Sequence, residues 1–111
     1  MTIELDNAED KKLVVLAKAT RARTGAADGA ALRDLDGRTY AGASVDLPSL
    51  KISALDVCIA MAVASGAQGA EAAVALGETD PSLDALREFA GADVPVHRGS
   101  VAGQIAKTLS T

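Results

Sequence analysis

The stretch "LKISALDVCIAMAVASG", Leu50 to Gly66, constrains this fold more than any other, because it has the length of a helix and scarcely any polar face. Asp56 is its single ionisable carboxylate, and most of the rest is Ile, Leu, Val, Met, Cys and Ala. A helix that is apolar nearly all round is covered nearly all round. The segment is therefore expected to be the central helix of a layered domain, a helix shared between the core and another subunit, or both.

The flanking sequence supplies the layers. Asp6 and Asn7 are N-cap candidates for a first helix that carries Glu9 and Asp10 in its opening turn and the basic run "KATRAR" before Gly25. "GAALRDLDGRTYAGASV" is expected to be a hairpin around Asp36-Gly37, a pair that favours positive φ in a tight turn, with Pro48 closing its second strand. "AEAAVALGE" has the length and apolarity of a strand covered on both faces. Thr79 or Asp80 is expected to cap a helix with Pro81 in its first turn and Leu83, Leu86 and Phe89 at helical spacing. "ADVPVH" reads as a weak strand, and "SVAGQIAKTL", with Val101, Ile105 and Leu109 on one face, as a last, Gly-interrupted helix. The order α, hairpin, α, β, α, β, α is that of one layered α/β domain over residues 1–111, a length sufficient to bury a core unaided.

Composition removes several classes of function. Lys and Arg number 11 against 15 Asp and Glu, a formal charge of -4, which disfavours binding that rests on nucleic-acid phosphates. The only aromatics, Tyr40 and Phe89, are too few for a base-stacking platform. One cysteine permits no intrachain disulfide and no multi-thiolate metal site within a monomer. "MTIELDNAEDKK" lacks a basic-then-apolar signal pattern, and the least charged run, Ile52 to Gln68, is interrupted by Asp56. The expectation is a cytoplasmic protein with no nucleic-acid and no membrane partner.

From Ala17 to Phe89 the chain resembles the small, homo-oligomeric cytidine deaminases. "DGAALRDLDGRTYAGASVDLPS" corresponds to their "VGAAL", Asp-Gly hairpin and Asn/Glu-bearing segment, and "ISALDVCIAMAVASG" to their helix that opens with Cys-Ala-Glu, without a gap from Ser53 to Gly66. The resemblance implies a three-layer α/β/α domain with a mixed sheet begun by a β-hairpin.

The same resemblance implies that the catalytic groups are missing. Zinc deaminases hold the metal with three Cys, or His and two Cys, and move protons with a nearby Glu that is not a ligand. Here Cys-Ala-Glu is replaced by Ser53-Ala54-Leu55. The paired-cysteine loop falls on Thr79 and Ser82 in one register and on Ser82 and Ala85 in another. The family's Asn and Glu fall on Ser44 and Asp46, and its loop Phe near Ala26. Zinc brings the pKa of bound water from 15.7 to about 7, hydroxyls do not hold zinc usefully, and general acid/base assistance is worth a further factor of about 10² to 10⁴. Deamination by the family mechanism is therefore expected to be absent, with no catalytic residue, no metal and no cofactor. Ser44, Asp46, Ser53, Thr79 and Ser82 remain as lining of the former pocket.

Other residues invite chemistry less strongly. Cys58, among Val57, Ile59 and Met61, packs as a small hydrophobe; His97 has no adjacent partner in sequence; Asp80, Asp84 and Asp93 match no calcium loop. Lys18, Arg21 and Arg23 are ordinary helix-end cations that could also hold a phosphate. "GAADGAA" lacks dinucleotide-loop spacing. The expected function is that of an inactive, homodimeric or homotetrameric structural, interaction or regulatory protein, with Ile52, Leu55, Ile59 or Met61 near the interface and an unidentified protein partner; the alternatives are a non-catalytic nucleoside or small-ligand binder and an enzyme with a site rebuilt around Cys58, His97 or the aspartates.

Overall fold

The computed structural model describes residues 2–111. The first helix, α1 (Ala8–Thr24), starts where Asn7 accepts hydrogen bonds from the N–H groups of Glu9 and Asp10 and ends at Gly25 in the left-handed region. The hairpin follows as β1 (Gly29–Asp34) and β2 (Thr39–Ala43). Its turn needs Gly37, at φ 85°. It also needs Asp34, whose Oδ1 accepts from the N–H of Asp36 and of Arg38 at 2.9 Å each while Oδ2 accepts from the Tyr40 hydroxyl at 2.9 Å.

A second, small hairpin then intervenes, β3 (Val45–Leu47) with β4 (Leu50–Ile52). Pro48 thus lies in its turn and does not close β2. The apolar stretch forms α2 (Ala54–Ala64), capped by Ser53. Next come β5 (Ala70–Leu76), α3 (Asp84–Ala90), β6 (Pro95–Gly99) and β7 (Ile105–Ser110).

The main sheet is mixed, in the order β2-β1-β5-β6-β7, with β5 and β6 parallel and the other pairs antiparallel. Its two faces separate by strand alternation. Ala31, Ala72, Val74, Leu76 and Ile105 pack on Leu13 and Ala17 of α1, whereas Ala30, Leu32, Ala73, Ala75 and Val96 pack on α2 and α3. The three-layer expectation therefore holds. β5 is covered on both faces, as its unbroken apolar run implied.

Two helical expectations are corrected. The segment from Ser100 on is no helix: Ser100 N–H donates to the Gln104 carbonyl, Gly103 N–H to that of Ser100, and Gly103 at φ 91° reverses the chain into β7. A register shift at Arg98/Gly99 then puts Ile105 and Leu109 on opposite faces of the sheet. Neither Thr79 nor Asp80 caps α3, which begins at Asp84 without a side-chain cap. Asp80 is held elsewhere, by Arg98 Nε at 3.2 Å and Lys107 Nζ at 2.7 Å.

A polar chain fastens α1 to the sheet. His97 Nε2 and Asp10 Oδ2 are 2.9 Å apart, and His97 Nδ1 lies 2.8 Å from the Thr108 hydroxyl. Asp10 Oδ1 faces Arg33 Nη1 at 2.9 Å, and Arg33 Nε faces Glu71 at 3.3 Å. Asp10, Arg33 and His97 are all buried. A carboxylate only accepts, so Nε2 carries a hydrogen toward Asp10. In the neutral ring Nδ1 then accepts from Thr108.

Candidate functional site

One cavity, about 200 Å³, opens between the start of α2, the ends of β1 and β5, and the loop that leads to α3. It brings together Ser53, Leu55, Thr79 and Ser82, residues that the sequence places far apart. Each arrives for a local reason. Ser53 is the N-cap of α2, its Oγ accepting from the Asp56 N–H at 3.1 Å. Leu55, in the first turn, is 1% exposed and belongs to the core beneath the cavity. Thr79 and Ser82 belong to the irregular segment after β5, where the Ser82 Oγ lies 3.4 Å from the Asp84 N–H. Ala85 instead sits against Ile59, Val63 and Phe89, away from this cavity.

Sequence reasoning missed Asp28. Its carboxylate is the half-buried acidic group of the cavity wall, just before β1. Gly77 permits it: a Cβ there would lie 2.1 Å from Asp28 Oδ1, so any side chain would expel the carboxylate. Ser44 supports the same residue from behind. Its Oγ accepts from the Asp28 N–H at 3.1 Å, and its own N–H donates to the Asp28 carbonyl at 3.0 Å. Ser44 is thus a support of the cavity wall, not part of its lining. Asp46 is further removed: it is exposed on β3 and pairs with Lys51 across the small hairpin. The one available hint of Asp28 was an acidic residue immediately before the strand "GAAL".

The cavity offers three neutral hydroxyls, the Asp28 carboxylate and the rim carboxylate of Asp80, the latter already paired with two cations. Zinc sites are built from thiolates, imidazoles and carboxylates in sets of three or four. Among the described residues no three His, Cys, Asp or Glu side chains converge, so this donor set does not fit the zinc that the resemblance implies. Cys58 supplies no alternative nucleophile. It is buried under β1 and β2, and that burial pushes its thiol up to about 12, against weaker backbone contacts from Gly42 and its own N–H.

The interface candidates divide. Leu55 and Ile59 are closed into the chain's own core, while Ile52 and Met61 remain half-buried. Among the described residues no helix is long and apolar enough to cross a membrane.

A family model described as cytidine deaminase-like matches residues 6–103. The fold is similar to that of the cytidine deaminase from Burkholderia pseudomallei, at 24% identity and a TM-score of 0.77, covering 89% of this chain and 90% of that one. It is also similar to the cytidine deaminase from Mycobacterium leprae, at 22% identity and a TM-score of 0.69, covering 93% and 94%. The enzyme from Bacillus anthracis gives 20% identity and a TM-score of 0.69, covering 93% and 84%. No curated protein matches the chain.

Proposed function

Since the chain belongs to the cytidine deaminase-like family, we propose that it keeps the family's cleft as a binding site for a small hydroxylated ligand, such as a nucleoside, without the family's chemistry. The observation that carries this reading is an open cavity in which Ser53, Thr79, Ser82 and Asp28 converge and, among the described residues, no metal donor set does. An interaction protein whose cleft had lost all use would gain stability by filling it with apolar side chains. Here Ser53, Thr79, Ser82 and the carboxylate-bearing Asp28 and Asp80 still line the space, which suits hydrogen bonding to a polar ligand. Leu55, an alkyl group where the resemblance places a proton shuttle, gives such a ligand an apolar contact and moves no proton.

Thermal unfolding with a panel of nucleosides tests the reading. Saturating ligand at about 100 times its Kd is expected to stabilise the fold by about 2.7 kcal/mol. Thr79→Ala with Ser82→Ala is expected to remove most of that gain with little change in the unliganded protein, since both residues lie in the irregular segment after β5. No stabilisation by any nucleoside would reject binding in the cavity.

A second reading, self-association into a homodimer or homotetramer, is favoured by a separate observation. Leu47 is 55% exposed and Leu50 48% exposed on the small hairpin, with Ile52 half-buried on the same strand as Leu50. Association through these residues is largely apolar and is expected to persist at high salt. Sedimentation at micromolar concentration checks it; a monomer would reject it.

A further inference from the structure

Beside the cavity lies a larger groove, about 720 Å³, and the two share Asp28, Gly77 and Thr79 as a common wall. The far side of the groove carries Arg21, from the last turn of α1, and Arg98, from β6. Each guanidinium has one neighbour at Nε, a hydrogen-bond acceptor for Arg21 and an ion-pair partner for Arg98. Arg21 Nε donates to the Ala26 carbonyl at 2.8 Å, and Arg98 Nε faces Asp80 at 3.2 Å. Among the described residues no carboxylate lies within ion-pair distance of Arg21, and Arg98 has Asp80 alone. Both guanidiniums therefore border the groove with no carboxylate recorded on their Nη groups, a state suited to recognition of an oxyanion. Of the basic residues grouped at the end of α1, Arg21 alone borders this groove.

The groove carries two carboxylates, Asp28 on the wall it shares with the cavity and the exposed Glu78, and the shared one sets the order of groups along the ligand. Asp28 repels a phosphate but accepts hydrogen bonds from hydroxyls. A molecule with its phosphate at Arg21 and Arg98, its hydroxyls on Asp28 and its remainder against Ser53 and Thr79 satisfies the charges in sequence. Resting on the reading of the cavity as a binding site, we infer that the groove is a phosphate subsite and that the ligand is a sugar phosphate monoester of nucleotide type, not a free nucleoside.

Calorimetric titration with cytidine 5′-monophosphate, cytidine and inorganic phosphate, on the wild type and on Arg21→Gln and Arg98→Gln, tests this. The monophosphate is expected to bind at least tenfold tighter than cytidine, with an advantage that shrinks as salt rises. Arg21→Gln is expected to abolish that advantage while leaving cytidine affinity unchanged, and Arg98→Gln, which also loosens Asp80 on the cavity rim, is expected to abolish it as well. Equal affinity for cytidine and its monophosphate would overturn the phosphate subsite and leave the cavity reading standing. Phosphate alone binding as tightly as the monophosphate would overturn the joined site. Failure of all three to bind would reject both readings.

Discussion

At the scale of single residues, the β1–β2 turn is expected to be one source of acid sensitivity. Burial pushes the Asp34 carboxyl up, but the Tyr40 hydroxyl and the N–H groups of Arg38 and Asp36 outweigh it and hold the group below its ordinary 3.8. A carboxylate whose value is lowered by folding stabilises the native state above its unfolded value, and that contribution is lost as pH falls through the folded one. Stability is therefore expected to drop below about pH 4, and Asp34→Asn is expected to flatten that drop. Denaturant melts across this range check it; parallel acid losses in the two proteins would contradict the assignment. Tyr40 moves the opposite way. Its hydrogen bond to Asp34, then burial, raise its value above 10.0, so its contribution is intact below that pH and is lost only as pH rises through the folded value.

At the scale of elements, the helices differ in what fastens them. α1 rests on the sheet through Leu13 and Ala17, with Val14 and Leu16 partly buried beside them, and the Asp10–His97 and Asp10–Arg33 contacts add a polar clasp to β6 and β1. Asp10→Ala leaves the buried Arg33 with only the half-exposed Glu71 and His97 Nε2 without its acceptor, and is expected to cost about 1–3 kcal/mol, read as a lowered denaturation midpoint. A loss under about 1 kcal/mol would show that the clasp is dispensable. On the other face, Leu86 is fully buried between α3 and the core. Leu86→Ala is expected to cost about 2–5 kcal/mol; a smaller loss would mean that α3 collapses onto the void.

These elements also show what could be read in the sequence. Asn7, Asp36-Gly37 and the apolar run of α2 carry local signals, because caps, tight turns and buried helices each demand particular residue types. β7 was hidden because Val101, Ile105 and Leu109 have helical spacing, whereas the Gly103 turn and the Arg98/Gly99 register shift decide the conformation. The start of α3 was misplaced because Asp80 is claimed by Arg98 and Lys107, a long-range competition that no local pattern displays. Asp28 went unseen for a related reason. Its place in the cavity depends on Gly77, 49 positions away, having no side chain.

At the scale of the molecule, α2 answers the question its composition raised. One side rests on β1 and β2 and another on α3, so intrachain packing already covers Leu55, Cys58, Ile59 and Ala62, and Val63 is its large exposed apolar residue. The chain closes to a radius of gyration of 12.5 Å, close to the about 13 Å expected of a compact domain of this length. On the proposed reading its working part is the cleft at the head of that helix, which Ser53, Thr79 and Ser82 line together and where, among the described residues, no metal donor set converges. The most direct test is the zinc content of the purified protein after dialysis against zinc, measured by elemental analysis. Far less than one zinc per chain is expected. A stable ratio of about one per chain would contradict it.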